Sequence, residues 1–527
     1  MPAFLRYITV FWLSFLMTDA FGFSSSNLPV ISITTNNREI ARNYRISANI
    51  GVIFNGQGQR NYSTDEYNHF YGNIEIRTRG NSTAGWPKKP YDFKIVDESG
   101  EDLHVPLLGM AAHEDWILLA SYLDHTFIRT PLSKHMSRLM GRWASDSRMV
   151  EVFLNGEYQG IYILIEKIAR SNRRLGVDRL LPDQVSEEEI TGGYIYEVSG
   201  NKGNLGETRH LRYPNFDRAA PEQISYIRQY DNGFRNAMRL QNYTEEYDKW
   251  IDVDSFVDEL LVQEAMRNSD AYGWSSYFHK RRGEKLMAGP VWDFDQSAGN
   301  SSYPDNGVVT GWLYSHPHTN NTPFFWKKLM EDPAFSYKVK RRWQELRKDE
   351  YSTDNLFHHI DSIASLLSEA QQREFEKWPV LGVYFWRETI GFQHRTTYKA
   401  EVDYLKSFLS QRWDWMDREI ARIPDYDPDN PDSGSVLSAG ITRVYPNPVN
   451  DRLNLTLESD FNTKATIYIY SLPGVQVCPP VTISIRKGTN NLSYNLSDLS
   501  EPGFYIYKVV LENTVLSYSG RFLKMKL

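Results

Sequence analysis

Residues 150–168 read VEVFLNGEYQGIYILIEKI. Asn155-Gly156 is the strongest short-range turn signal for two antiparallel strands, and the runs on either side alternate or are wholly apolar. The segment is therefore a hairpin, and strand text extends upstream from it. Residues 28–37, 44–55 and 71–81 carry period-two alternation, with Ile74, Ile76 and Thr78 facing one way and Glu75, Arg77 and Arg79 the other. Residues 91–100 form a strand ending in an acidic turn, and 115–122 a buried strand. Between them and the hairpin, residues 126–139 read as a helix entered near Pro131, since proline is accepted in a first turn.

Past Gly192 the pattern becomes helical. Val253, Phe256, Val257, Leu260, Leu261 and Met266 recur at helix spacing, with Asp252 or Asp254 as the cap. Residues 323–346, 356–377 and 398–423 read as further helices. The expectation is an α+β chain with a strand-rich part before a helix-rich part and a cleft between two lobes. Residues 424–440, PDYDPDNPDSGSVLSAG, are a linker by composition. Beyond them, 441–527 returns to short strands and turns, the pattern of a small all-β sandwich. That segment carries a net charge of +3 inside a 527-residue chain of net charge -7.

The acidic balance argues against a nucleic-acid partner. The single cysteine, Cys478, excludes a disulfide framework and a cysteine zinc site. At the N-terminus, Arg6, an apolar run from Tyr7 to Met17, and small residues at Ala20 and Gly22 read as a signal peptide over 1–23. A buried helix or short anchor is the alternative. No later run reaches the ~18 apolar residues of a spanning helix, so no transmembrane span is expected once the signal is removed.

Chemistry concentrates between Asn268 and Asn300. Asp270 follows a helix, and Trp292-Asp293-Phe294-Asp295 follows a Gly-Pro turn. If that tetrapeptide is extended, Asp293 and Asp295 share one side. Paired carboxylates near an asparagine form a hard-oxygen set suited to magnesium holding phosphate. On spacing alone, three solvated aspartates around a buried Trp292 and Phe294 are the simpler reading. A basic cluster comprises Arg77, Arg79, Asn81, Lys88, Lys89 and Lys94. Lys94 sits within a strand, where it either meets phosphate in a cleft or lies on a solvated face. No P-loop, H-R-D, D-F-G, H-E-x-x-H or G-x-S-x-G is present.

Taken as a set, RTRGNSTAGWPKKPYDFKI (77–95), DWILLASYLDHTFIRTPLSKHMSRLMG (115–141), the hairpin, NSDAYGWSSYFHK (268–280) and GPVWDFDQSAGN (289–300) resemble the CotH kinase family of secreted atypical kinases. The resemblance covers most of 28–423. It implies a divergent two-lobed protein-kinase-like fold over 24–423, using ATP and Mg2+ to phosphorylate Ser/Thr of exported or surface proteins. It assigns Asp270 as the catalytic aspartate and Asp293 and Asp295 as metal ligands. Lys94, Arg129 and Glu166 are assigned to the nucleotide. Ala298 stands where the family often has Phe. Residues 441–527 resemble a type IX secretion sorting domain of Bacteroidota, through Val444-Tyr-Pro-Asn-Pro448, Asn450, the 496–509 segment and the basic terminal GRFLKMKL. That implies partnership with the type IX machinery and a secreted or surface location. An inactive surface scaffold or adhesin, and a carbohydrate-active or carbohydrate-binding protein, are the alternatives.

Overall fold

The computed structural model describes residues 23–525 apart from 81, 201, 306, 317–321, 428–438, 460, 473–474 and 513–516. Residues 1–22 of the expected signal peptide, Asn81 of the basic cluster and most of the expected linker lie outside the described residues.

The first strands are β1 (Ser25–Ser26), β2 (Val30–Thr34), β3 (Ile46–Ile53), β4 (Asn61–Tyr62), β5 (Phe70–Thr78), β6 (Tyr91–Val96), β7 (Asp115–Leu119), β8 (Ser147–Leu154) and β9 (Glu157–Glu166). Seven of them close a barrel in the order β2-β3-β5-β6-β7-β9-β8. All neighbours are antiparallel except β2 and β8, whose parallel pairing seals it. Alternation builds its interior: Ile74 and Ile76 of β5, Phe93 and Ile95 of β6, and Trp116 and Leu118 of β7 pack inward. Each such side chain contributes roughly 1.5–3 kcal/mol of burial. At the β8–β9 turn both Asn155 and Gly156 have positive φ, 50° and 83°, the geometry that matches strand twist.

The strand-rich first part, expected as one lobe of a two-lobed fold, is a closed barrel. Its closure depends on residues more than a hundred positions apart. Helix α1 (Arg129–Leu139) precedes the hairpin, with Pro131 in its first turn as expected.

The helix-rich second part also needs correction. It opens with a four-stranded sheet of β10 (Tyr194–Val198), β11 (Arg209–Tyr213), β12 (Ser276–Lys280) and β13 (Leu286–Ala288), ordered β11-β10-β12-β13. All five residues of β10 are buried, so no alternation marks it. Between these strands run α2 (Pro221–Ala237) and α3 (Val253–Ala265). Asp252 caps α3 by accepting from the Ser255 amide at 2.7 Å. The single helix expected over 323–346 is two, α4 (Phe324–Glu331) and α5 (Pro333–Lys348). Pro333 opens the second because the residue before a proline leaves helical geometry. Likewise, 356–377 divides into α6 (Thr353–Leu366) and α7 (Ala370–Lys377), and α8 (Tyr398–Ala421) follows.

By contact, the chain divides into one unit of Met1–Leu329 with Lys338–Asp417 and another of Met330–Tyr337 with Arg418–Leu527. In the second unit, β14 (Ala439–Tyr445), β15 (Arg452–Ser459), β16 (Thr463–Ser471), β17 (Gln476–Ile485), β18 (Gly488–Asn495), β19 (Gly503–Leu511) and β20 (Ser517–Lys524) form two sheets, β14-β15-β18 and β17-β16-β19-β20. Leu453, Leu455, Ile467, Ile469 and Val509 share the core between them, the sandwich that the strand spacing predicted.

Within the first unit, α7 is fixed to β9 by a buried ion pair. Lys88 Nζ donates to Glu374 Oε1 at 2.7 Å and to the Ile161 carbonyl at 2.6 Å. Glu374 Oε2 accepts from the Ile161 amide at 2.7 Å. Gly160 lets the carboxylate in, since a Cβ there would lie 2.1 Å from Glu374 Oε2. Removing one partner strands a buried charge, so Lys88→Met should cost about 3–5 kcal/mol in denaturant unfolding. Adding Glu374→Leu should recover much of that loss. A single variant as stable as the parent would show that the pair does not hold α7.

Candidate functional site

A cavity of about 1270 Å³ lies in the first unit. One wall is the outer face of the barrel, presenting Arg77, Asp92, Ile117 and Leu119 from β5, β6 and β7. The second sheet contributes Glu197, Leu211, Arg212 and Tyr277. Asp270, Asp293 and Asp295 all line it.

Backbone zippering between two loops brings these acids together. Beyond α3, the Met266 carbonyl accepts from the Ala298 amide at 2.6 Å, and the Ser269 amide donates to the Gln296 carbonyl at 3.4 Å. Asn268, fully enclosed, donates to the Asp293 carbonyl at 3.3 Å and to Gln263 Oε1 at 3.1 Å, and accepts from the Asp270 amide at 3.3 Å. Asn300 donates to the Asp295 carbonyl at 2.7 Å. Deeper, Arg412 of α8 donates to the Glu264 carbonyl and carboxylate at 2.8 and 2.9 Å, anchoring the end of α3. Asn268 was expected only as a neighbour of the acids. It is a clamp whose amide is spent on their backbone.

The tetrapeptide 292–295 is not extended. Asp293 has φ of +63°, so the pleat does not align it with Asp295. Arg267, Tyr272, Ser275 and Ala298 also have positive φ, which concentrates backbone strain on these two loops. Such strain persists only where the surroundings over-determine it, and it gathers at functional sites. Ser275 Oγ donates to Asp293 Oδ2 at 3.1 Å.

Burial and the neighbouring Asp293 charge push the Asp270 carboxyl up to about 6, against a weaker opposing effect of Arg387. Asp295 rises well above the usual carboxylate range, through burial first and then Asp293, Asp270 and Asp124. Among the described residues, no Lys, Arg or His side chain comes within 4 Å of any of these three carboxylates. Hard oxygens that repel one another and lack a counter-charge suit a divalent cation of the magnesium class, although among the described residues it is His113, Glu114 and Asp115, and not these three acids, whose ligand atoms all lie within 4.8 Å of one another.

The residues expected at the nucleotide are placed differently. Lys94 does not line the cavity. It lies on the outer face of β6, two residues beyond the lining Asp92, and pairs with Asp102. Glu166 turns to the barrel end, where its carboxylate accepts from the amides of Ala111 at 3.2 Å and Asp146 at 2.9 Å. Lys167 and Ile168, which follow it, do line the cavity. Arg129 is fully buried outside the cavity. It donates to Asp124 at 2.6 Å and to the carbonyls of Ser297 and Ala298 at 3.0 and 3.3 Å, supporting the acidic loop from behind.

Most cations on the cavity wall are committed. Arg77 faces Asp92 at 3.5 Å, Lys167 faces Asp115 at 3.2 Å, Arg212 pairs with Glu197, and Lys88 holds Glu374. Arg79 differs. Its guanidinium lies over the Trp292 ring at 5.5 Å, and among the described residues it has no carboxylate within 4 Å. It belongs to the basic cluster seen in the sequence, but nothing in the spacing distinguished it from Lys94. Below Trp292, the fully buried Lys134 donates to the Val291 carbonyl at 3.0 Å and sits 4.5 Å from the ring. Burial and Arg138 lower its ammonium to about 7. Nothing in the residue pattern marked it beyond its place in a helix.

Comparison with known families agrees with this architecture. The profile of the CotH kinase protein family matches residues 76–416, which include all three acids. The profile of the secretion system C-terminal sorting domain matches residues 443–522, over the two-sheet sandwich. No curated protein matches the chain significantly. The sorting domain directs export by type IX secretion to the cell surface or extracellular space. No helix among the described residues is long and apolar enough to cross a membrane. With the larger profile covering more than half of its length, the chain belongs to the CotH kinase protein family and carries a type IX sorting domain.

Proposed function

We propose that this protein is an atypical kinase that transfers the γ-phosphoryl group of ATP to a Ser or Thr hydroxyl of an exported or surface protein. The observation that carries the reading is the convergence of Asp270, Asp293 and Asp295 without a counter-charge, in a chain of a kinase family. Asp293 and Asp295 are the residues that would hold magnesium. When bound, the ion neutralises phosphate charge and orients the transferred group.

The chain's own residues do the rest. Asp270 orients the acceptor hydroxyl and takes its proton as the oxygen–phosphorus bond forms and the bond to the β-phosphate oxygen breaks, releasing ADP. Arg79, in place of Lys94, supplies the positive charge for phosphate beside Trp292. Arg129 and Asn268 act as positioning residues through the loop carbonyls they bind. In this reading the barrel and the helical part form the two walls of a kinase-like cleft. The chain is laid out as signal peptide 1–23, kinase-like domain 24–423, linker 424–440 and sorting domain 441–527. An inactive scaffold would gain stability by losing the repelling acids, so their retention favours activity.

Two tests follow. Asp293→Asn should weaken magnesium-dependent nucleotide binding and lower transfer by orders of magnitude, whereas Asp270→Asn should abolish transfer with nucleotide binding near normal. Nucleotide titration with and without magnesium, beside a transfer assay, checks this. Unchanged transfer in Asp293→Asn removes the mechanism, and identical binding defects remove the separate roles.

The second test is pH. Asp270 accepts a proton only when ionised, and its carboxyl is raised to about 6. kcat/KM should hold above that value and fall by about tenfold per pH unit below it. A profile flat to about pH 4.5 would mean that no raised carboxyl takes the proton.

A further inference from the structure

At the end of the cavity near Asp270 stands a second guanidinium that the proposed chemistry does not use. Arg387 lies 4.1 Å from the Trp386 ring centroid and 4.8 Å from that of Tyr303. Its backbone has φ of +64°, in the left-handed region, and its carbonyl accepts from the Ser302 amide at 2.7 Å. A strained backbone and two aromatic plates hold the group in one pose. Among the described residues it has no carboxylate within 4 Å, although six carboxylates line its cavity. Its charge nevertheless reaches Asp270, opposing the rise of that carboxyl.

Trp86 and Tyr303 line this end, and Trp86 lies 6.4 Å from Trp386. The Trp86 indole N–H is buried and has no partner among the described residues. Trp274, Tyr303 and Trp386 each remain more than a third exposed while lining the cavity. A fixed, planar, unneutralised guanidinium beside an unused N–H donor and exposed rings is a receptor for an anion on a chain that lies across the rim.

We infer that this end of the cavity is an acceptor subsite, in which Arg387 selects a peptide carrying a carboxylate side chain next to the Ser or Thr that enters at Asp270. The inference rests on the kinase reading for the role of Asp270. The nucleotide is the less suitable occupant, because Arg79, over the ring of Trp292 next in sequence to Asp293, is the cation proposed for its phosphates. Arg387 shares the cavity with Asp270 and its charge acts on that carboxyl, where the hydroxyl must enter.

The test uses the full chain and two peptides with one serine each, flanked by glutamates or by lysines, titrated by tryptophan fluorescence. Nucleotide affinity and phosphate transfer are measured in parallel. The glutamate peptide should bind the parent at least tenfold more tightly than the lysine peptide. Arg387→Gln should weaken it by about 10–100-fold, the span of one charge-assisted hydrogen bond. Arg387→Lys should restore part of the affinity and Arg387→Glu should reverse the preference, with nucleotide affinity unchanged throughout. Equal affinity of the parent for both peptides overturns the subsite. So does an Arg387→Gln variant that loses nucleotide and keeps peptide, or an acidic polysaccharide that outcompetes the peptide at Arg387. Arg387-dependent binding of the glutamate peptide without any transfer by the parent would uphold the subsite and sink the kinase reading.

Discussion

Mutual repulsion among Asp270, Asp293 and Asp295 is the constraint around which the larger unit is organised. Like charges in a partly enclosed site oppose folding, as the upward displacement of Asp270 and Asp295 records. The chain overcomes this with backbone hydrogen bonds between the turn after α3 and the 291–300 loop, and with residues in left-handed geometry. Buried polar groups then fix the loops from behind. Arg129 binds two loop carbonyls, Asn268 a third, and Arg412 anchors α3. None of these contacts neutralises the acids. They hold the carboxylates in place and leave their charge available to a ligand.

The same division of labour runs through the cavity wall. Lys88, Arg77, Lys167 and Arg212 are each matched to a carboxylate, so their charge is spent on holding β9, β6 and β10 in place. Buried pairs of this kind are weak evidence of net stability, because desolvation offsets attraction, but breaking one is costly. Arg79 and Arg387 are held by aromatic rings instead. Ring faces orient a guanidinium without cancelling its charge. Both of these guanidinium groups line the cavity that holds Asp270, Asp293 and Asp295.

Much of this was legible in the sequence where a single local rule applied. Period two set the barrel strands and their inward faces, Asn155-Gly156 set the hairpin, and Asp252 set the α3 cap. Barrel closure was not legible, because the parallel β2–β8 pairing joins Val30 to Glu151 with no local signal. The β10–β13 sheet was hidden for a related reason: β10 is buried on both faces and finds β12 about eighty residues away. Lys94 was placed on a strand, either in a phosphate cleft or on a solvated face, and assigned to the nucleotide by resemblance, but the cavity opens around Arg77, Arg79 and Asp92. Two further residues along a strand carry a side chain about 7 Å past it. Asp293 and Asp295 do share one cavity, through a left-handed turn at Asp293 where an extended pleat was expected.

If Asp293 and Asp295 hold a divalent cation beside Asp270, as proposed, the ion should stabilise the folded protein. Thermal unfolding of the ligand-free protein against magnesium concentration, near pH 7, tests it without any assay of transfer. A carboxyl raised in the folded state disfavours folding above its ordinary pKa, and that cost disappears as pH falls through the raised value. With Asp270 raised to about 6, the cost at neutral pH is about 1–3 kcal/mol. The account predicts that magnesium raises the midpoint of the parent. It also predicts that a variant with Asn at 270, 293 and 295 starts higher and does not respond. A parent indifferent to magnesium, together with a triple variant that melts below it, would contradict the account.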